Sequence, residues 1–239
     1  MQLLGSMVFN VFLIAWMLVF AITYCVVTPF LSFRGRFWMA GVMSHVVFFA
    51  ARVLCGIEYT VEGRENLPAG NHVIFMKHSS TWETFGIMIL FPPLVWVMKR
   101  EILWIPFVGW GCLLASCIAI DRKAGASAVN EVLVQGKERL GRGAWILVFP
   151  EGTRMAAGET RRYGSSGTLL AAQEGRKIVP VAHNAGYFWP RRGVLKRRGT
   201  IRVIIGPPIE AAGRDAREVN NEVQTWIESH VVVPSDSAG

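Results

Sequence analysis

The sequence predicts an α/β fold: a mixed, largely parallel sheet flanked by helices, with an apolar helical membrane anchor at its N-terminus. Two observations carry this expectation. From residue 56 onward, short runs rich in β-branched and aromatic residues alternate with helix-length segments, as in βαβ units. Before that point the chain is almost free of charge. It divides accordingly into a two-helix membrane anchor (1–55), an α/β domain (56–232) and a flexible tail (233–239).

The anchor comes first. No charged side chain occurs from residue 8 to residue 27. A helix of that length, rising about 1.5 Å per residue, reaches about 30 Å, the thickness of a bilayer core. A cleaved signal peptide needs a basic residue ahead of a shorter apolar stretch. Only Gln2 and neutral residues precede this one, so the segment is expected to be retained. Pro29 ends it, and Arg34-Gly35-Arg36 makes a basic turn. The second apolar stretch, 37–54, is interrupted by Ser44, His45 and Arg52. His45 and Arg52 lie two helical turns apart and, with Gly41, predict a thin polar stripe. Such a helix is expected to lie in the interface or to pack on the first. Were both stretches full spans, the basic turn would lie across the membrane from the domain, against the positive-inside tendency. Arg34 and Arg36 are therefore expected on the domain's side, facing anionic headgroups.

Within the domain, 57–61, 72–76, 94–98, 117–120, 145–149, 178–182 and 201–205 read as strands. Residues 80–90, 124–140, 167–173 and 214–230 read as helices. A hydrophobic fraction of 52% with 18% charged residues excludes a disordered or fibrous chain. Four cysteines are too few to build a disulfide framework. The net charge of +8 points to an anionic partner: a phosphate ester, an acidic protein, an anionic membrane or nucleic acid. The basic run from Arg191 to Arg198 lacks the aromatic interleaving of a nucleic-acid platform, and is expected to be a solvated or membrane-facing loop. Cys112 and Cys117 have no second pair at zinc spacing, and no phosphate-cradling Gly-x-x-x-x-Gly-Lys loop occurs.

Ligand sites in open α/β sheets gather beyond the carboxyl ends of strands, and three candidate stretches sit there. Lys77-His78-Ser79-Ser80-Thr81-Trp82-Glu83 holds a histidine suited to take a proton at neutral pH and a carboxylate able to orient it. Five helical residues rotate by about 500°, so the two meet only if His78 lies in the loop and Glu83 in the first helical turn. Ser80-x-x-Glu83 equally has the form of a capping box, with Glu83 reaching back to the Ser80 amide. Phe149-Pro150-Glu151-Gly152-Thr153-Arg154 offers a guanidinium fork for phosphate oxygens and a glycine that lets backbone approach a ligand. A surface Glu–Arg pair on a tight turn accounts for it as well. Ile118-Ala119-Ile120-Asp121-Arg122 and the cation Lys99 complete the set.

Taken together, His78-x4-Glu83, Ile120-Asp121-Arg122, the block at 149–154 and Val179-Pro180-Val181 follow the order of the glycerolipid acyltransferase blocks. The chain resembles that family from about residue 56 to about residue 208, its bacterial lysophosphatidic acid acyltransferases above all. The family usually has Asp where this chain has Glu83, one methylene longer. The resemblance implies His78 as general base on the acceptor hydroxyl and Glu83 as its orienting partner. It also implies Arg154, with Lys99 and Arg122, as ligands of the acceptor phosphate, and Glu151, Gly152 and Thr153 as residues that shape the site. The implied reaction moves a fatty acyl chain from acyl-CoA or acyl carrier protein to the sn-2 hydroxyl of lysophosphatidic acid. It needs no metal and no cofactor, because a thioester is already activated. The implied setting is an anionic phospholipid membrane, the bacterial inner membrane, with the domain on the cytosolic side and no nucleic-acid partner. Two other readings stay open: acylation of another lyso-lipid, and a non-catalytic membrane-anchored module that binds lipid phosphate. His78 beside Glu83 argues against the second, since phosphate binding alone needs only cations.

Overall fold

Side chains alternate across the strands of the domain, and each alternation feeds a separate apolar layer. The computed structural model describes residues 1–234. Its strands are β1 (Ile57–Glu62), β2 (Val73–Met76), β3 (Leu94–Lys99), β4 (Ile118–Ile120), β5 (Trp145–Val148), β6 (Lys177–His183), β7 (Gly199–Ile205) and β8 (Ile209–Glu210). They form one sheet of order β1-β7-β6-β2-β5-β3-β4, with β8 paired to β6. Every pairing is parallel except β6 with β7 and β6 with β8. The mixed, largely parallel sheet expected from the sequence is the one found.

Ile74, Met76, Leu147, Val179 and Val181 point to one face, against α1 (Gln2–Val27), α2 (Phe33–Cys55) and α3 (Trp82–Leu90). Val73, Phe75, Val95, Val97, Ile146 and Val148 point to the other, against α5 (Ala126–Gly141), α6 (Ser166–Gln173) and α8 (Ala216–Ser229). Two short helices, α4 (Val108–Leu114) and α7 (Ala185–Phe188), were not expected, being too short to show a helical period. The helix expected from residue 80 begins at Trp82, because the amides of Ser79 and Ser80 bond to a side chain instead. The tail expected at 233–239 lies, from residue 235 on, outside the described residues.

The N-terminal hairpin is not set apart from the domain. Phe9, Tyr24, Val47 and Phe48 share one apolar cluster with Ile74, Trp82 and Val181. Both α1 and α2 are long and apolar enough to cross a membrane. Yet α1 is tied to the domain at both of its ends. Gln2 donates to the carbonyl of Lys196 at 2.7 Å, and the Lys196 amide donates to Ser6 Oγ at 2.9 Å. Asn10 donates to the Val194 carbonyl at 2.9 Å, and at the far end Cys25 Sγ donates to the Phe107 carbonyl at 3.3 Å. A helix with both ends on one domain runs along it. Its outer residues, Val11, Ile14, Leu18, Val19, Ile22 and Val26 among them, are exposed and apolar.

Two expectations for the hairpin are corrected. Arg36 does not reach out for headgroups: its guanidinium donates to the carbonyls of Thr28 at 2.9 Å, Leu31 at 3.0 Å and Leu114 at 2.8 Å, satisfying helix-end acceptors. Arg34 is exposed. Gly41 does not join His45 and Arg52 in a polar stripe. It sits on the buried face of α2, where a Cβ would lie 3.2 Å from the Met88 carbonyl oxygen. His45 and Arg52 do face outward, and Arg52 pairs with Glu58 at 3.0 Å.

The closest approach in the hairpin is at Gly5, where a Cβ would lie 2.1 Å from the backbone oxygen of Leu54. No side-chain rotation relieves that contact. Gly5→Ala should therefore push α1 away from α2 and cost about 1–3 kcal/mol, read as a lower urea midpoint of the detergent-solubilised protein. An unchanged midpoint would show that α1 contributes little to the fold.

Candidate active site

The carboxyl ends of β6, β2, β5, β3 and β4, all parallel, open on one edge of the sheet. His78 lies in the loop after β2, and Glu83 is the second residue of α3. This is the one arrangement that lets them meet, and His78 Nδ1 lies 2.9 Å from Glu83 Oε1. The same oxygen accepts from the amides of Ser79 at 3.0 Å and Ser80 at 2.9 Å. Ser80 Oγ accepts from the Trp82 amide at 2.9 Å. Glu83 therefore holds the amides before the helix and the histidine with one atom, but only half of the expected capping box forms: the N-cap is Thr81, not Ser80, and no side chain caps it. The His78 ring stacks on Phe149 at 4.0 Å, which fixes its plane. With Nδ1–H given to the carboxylate, Nε2 is left as the nitrogen that can take a proton. Burial opposes the charge of Glu83, but hydrogen bonding from His78 and the neighbouring His183 and Ser80 amide outweigh it. Its carboxyl ends below the ordinary value.

His183, which closes β6, was not singled out in the sequence. Its Nε2 donates to the Lys77 carbonyl at 2.8 Å, its Nδ1 accepts from the Ala185 amide at 3.2 Å, and Nε2 lies 3.8 Å from Glu83 Oε2. Burial holds its pKa below the ordinary histidine value, against the pull of Glu83. The only trace in the sequence is a lone polar residue ending an apolar strand.

Beside the dyad lies a polar pocket of about 420 Å³, lined by His78, Thr84, Lys99, Arg122, Thr153 and Arg154 among others. Arg154 donates to Thr84 Oγ1 at 3.3 Å, and its Nε is buried without a partner among the described residues. Arg122 donates to the Gly152 carbonyl. Gly152 has φ +69°, left-handed backbone that the turn requires and glycine adopts without strain. Lys99 faces the pocket but pairs with Glu101 at 2.9 Å, and Asp121 spends its charge on Arg100 at 2.8 Å. Arg191 and Arg192 also line the pocket, so this part of the basic run is not simply the solvated or membrane-facing loop expected. Lys196, from the same run, is buried against Asn10.

Glu151 does not pair with Arg154. It turns inward, accepts from the His78 amide at 3.0 Å and lies 3.1 Å from Lys77 Nζ. Lys77 is itself buried, and also donates to Glu228 of α8 at 2.8 Å. Adjoining the polar pocket is a second, apolar cavity of about 260 Å³ between α1, α2, α3 and α4. Thr84 and Trp96 line both spaces. No group of three or more His, Cys, Asp or Glu side chains able to hold a metal occurs among the described residues.

Burial pushes the Glu151 carboxyl up to about 7, with Lys77 pulling it back. The folded state thus binds a proton more tightly than the unfolded chain. That contribution is fully present below the ordinary carboxylate range and is lost as pH rises through about 7. Urea stability should therefore fall between pH 5 and pH 8 by on the order of 1–3 kcal/mol more in the unaltered protein than in Glu151→Gln. Parallel pH profiles for the two proteins would show that Glu151 is ionised throughout.

The sequence pattern of the family described as Acyltransferase matches residues 58–184, which hold the dyad, the pocket arginines Arg122 and Arg154, and His183. The chain is 40% identical over 230 residues to a 1-acyl-sn-glycerol-3-phosphate acyltransferase of Pseudomonas aeruginosa, covering 95% of this chain and 90% of that one. It is 28% identical over 201 residues to the human 1-acyl-sn-glycerol-3-phosphate acyltransferase alpha, covering 83% of this chain and 70% of the relative. The fold is similar to the crystal structure of a 1-acyl-sn-glycerophosphate acyltransferase from Thermotoga maritima, at TM-score 0.77 and 21% identity, covering 95% of this chain and 93% of the other. The chain belongs to the acyltransferase family.

Proposed function

We propose that this acyltransferase moves a fatty acyl group from the thioester of acyl-CoA or acyl carrier protein to the sn-2 hydroxyl of 1-acyl-sn-glycerol-3-phosphate, forming phosphatidic acid for phospholipid synthesis. The observation that carries the reading is the dyad's position. His78, oriented through Nδ1 by Glu83 at 2.9 Å, lines the same pocket as the arginines, and Thr84 and Trp96 of that pocket also line the neighbouring apolar cavity. A lyso-lipid phosphate and a fatty chain need those two environments, and the reacting hydroxyl lies between them.

The chemistry follows from the atoms. His78 Nε2 takes the hydroxyl proton as the oxygen attacks the thioester carbonyl, and the imidazolium is stabilised by the Glu83 carboxylate. The thiolate then leaves and the proton returns to it from His78. Neither metal nor cofactor enters this scheme, because the thioester supplies the activation. Arg154 and Arg122 hold the acceptor phosphate, with Lys99 adding a partly neutralised charge. Glu151 fixes the His78 backbone, while Gly152 and Thr153 give the turn its shape. Both acyl donors are cytosolic, which places the domain on the cytosolic side of the bacterial inner membrane, the α1–α2 hairpin against an anionic leaflet.

Three variants test the scheme. His78→Ala should lower kcat by at least about 10²-fold with the fold and acceptor binding retained. Near-normal turnover would remove His78 from the mechanism. Glu83→Gln should lower kcat less, and should also lower thermal stability because two backbone amides lose a charged acceptor. Arg154→Ala removes a charge-assisted hydrogen bond, a contribution of about 1.5–3 kcal/mol, so acceptor KM should rise about tenfold while donor KM moves little. An equal loss for an acceptor without phosphate would assign Arg154 to structure instead.

A further inference from the structure

The segment between β3 and β4 takes no part in the dyad, yet its surface is unlike the rest of the domain. Trp104 is 75% exposed, Trp110 51%, Leu113 57% and Ile105 49%. Within α4 only Gly109 is buried. Single exposed apolar residues are ordinary, but a cluster this large marks an interaction surface. The cluster continues an apolar surface that is already present. α4 packs beside the C-terminal end of α1, through Cys25 on the Phe107 carbonyl and Gly111 against the Tyr24 ring. The outward residues of α1 at that end, Leu18, Val19, Ile22 and Val26, are exposed too.

The inner side of the same helix faces the apolar cavity, which Val108, Gly111, Cys112 and Ala115 line. α4 is thus one layer thick between that cavity and the outside. It is bounded by two non-glycine residues with left-handed backbone, Phe107 and Ser116, both at φ 61°. Such strain persists where the fold over-determines it, and it gathers at functional segments. Arg36 of the hairpin anchors the far end through the Leu114 carbonyl at 2.8 Å. Tryptophan suits the level of lipid headgroups, having an apolar body and one polar N–H.

We propose that residues 104–114 sit in the lipid leaflet and form the wall through which the apolar cavity meets lipid, so that lipid substrate enters there. This rests on the acyl-transfer reading of the neighbouring site. The leaflet is the occupant because the patch extends the apolar face of α1 without a break, and because the cavity behind it has the character of a fatty chain.

The test compares the unaltered full-length protein with a Trp104→Ser, Trp110→Ser double variant, whose exposed positions leave the core intact. Acceptor is offered either in phosphatidylglycerol–phosphatidylethanolamine vesicles containing long-chain lysophosphatidic acid, or as a short-chain analogue dissolved as monomers. Turnover from vesicles should fall about tenfold in the variant, and turnover of the dissolved analogue should stay within about twofold. Equal loss on both acceptors, or no loss from vesicles, overturns the proposal. A second readout needs no turnover: quenching of tryptophan fluorescence by vesicles of brominated lipid should be weaker in the variant. An unchanged quenched fraction places both tryptophans outside lipid, and self-association that the variant abolishes assigns the patch to a second copy. Absence of turnover by the unaltered protein on either acceptor defeats the acyl-transfer reading, while the quenching still decides where the segment sits.

Discussion

A carboxylate taken out of water costs several kilocalories per mole unless hydrogen bonds replace its hydration, and Glu83 is taken out of it entirely. Much of the architecture around the site supplies what that anion requires. The chain after β2 turns so that the Ser79 and Ser80 amides point at it, α3 starts late because those amides are engaged, and His78 is held by the same oxygen. His183 faces its other oxygen from the next strand. Were Glu83 to lose its charge, helix start, loop and histidine would lose their common acceptor together. The His78–Glu83 pair is therefore a structural centre of this edge, whatever it does in the reaction proposed.

A second buried ion system braces the loop from behind. Lys77, directly before His78, joins Glu151 of the β5 turn to Glu228 of α8, and Tyr163 donates to Glu228 at 2.9 Å. Glu151 also accepts from the His78 amide. The histidine is thus held by its ring from α3 and by its backbone from β5. In the proposed reaction such a ring keeps its orientation without relying on bound substrate, which suits a base that must transfer a proton.

What could be read in advance follows the range of the interactions. The alternating strands, the apolar hairpin and the spacing of His78 and Glu83 are local patterns, and each was legible. Whether Glu83 would reach back to the amides before the helix or to the histidine was not separable by spacing, since one oxygen meets both. His183 acts on Glu83 only because β6 lies next to β2, a pairing that crosses most of the domain. The inward turn of Glu151 depends on Lys77 and on α8 in the same way. Arg191 looked like part of a solvated run, and only the closure of that loop over β5, where its guanidinium meets the Arg154 carbonyl, puts it at the pocket. The apolar cavity has walls from four helices and therefore no signature in any one of them.

The attachment of α1 at both ends bears on the proposed placement of its apolar face in a bilayer. A spanning helix must match the thickness of the hydrocarbon around it, and tilts or distorts the lipid when it does not. Here Gln2, Ser6 and Asn10 at one end and Cys25 at the other register the helix against the domain. The depth of the active site below the apolar face is consequently a dimension of the protein. With that face in lipid, as proposed, a change of lipid chain length would alter the solvent of the face and leave its distance to His78 unchanged.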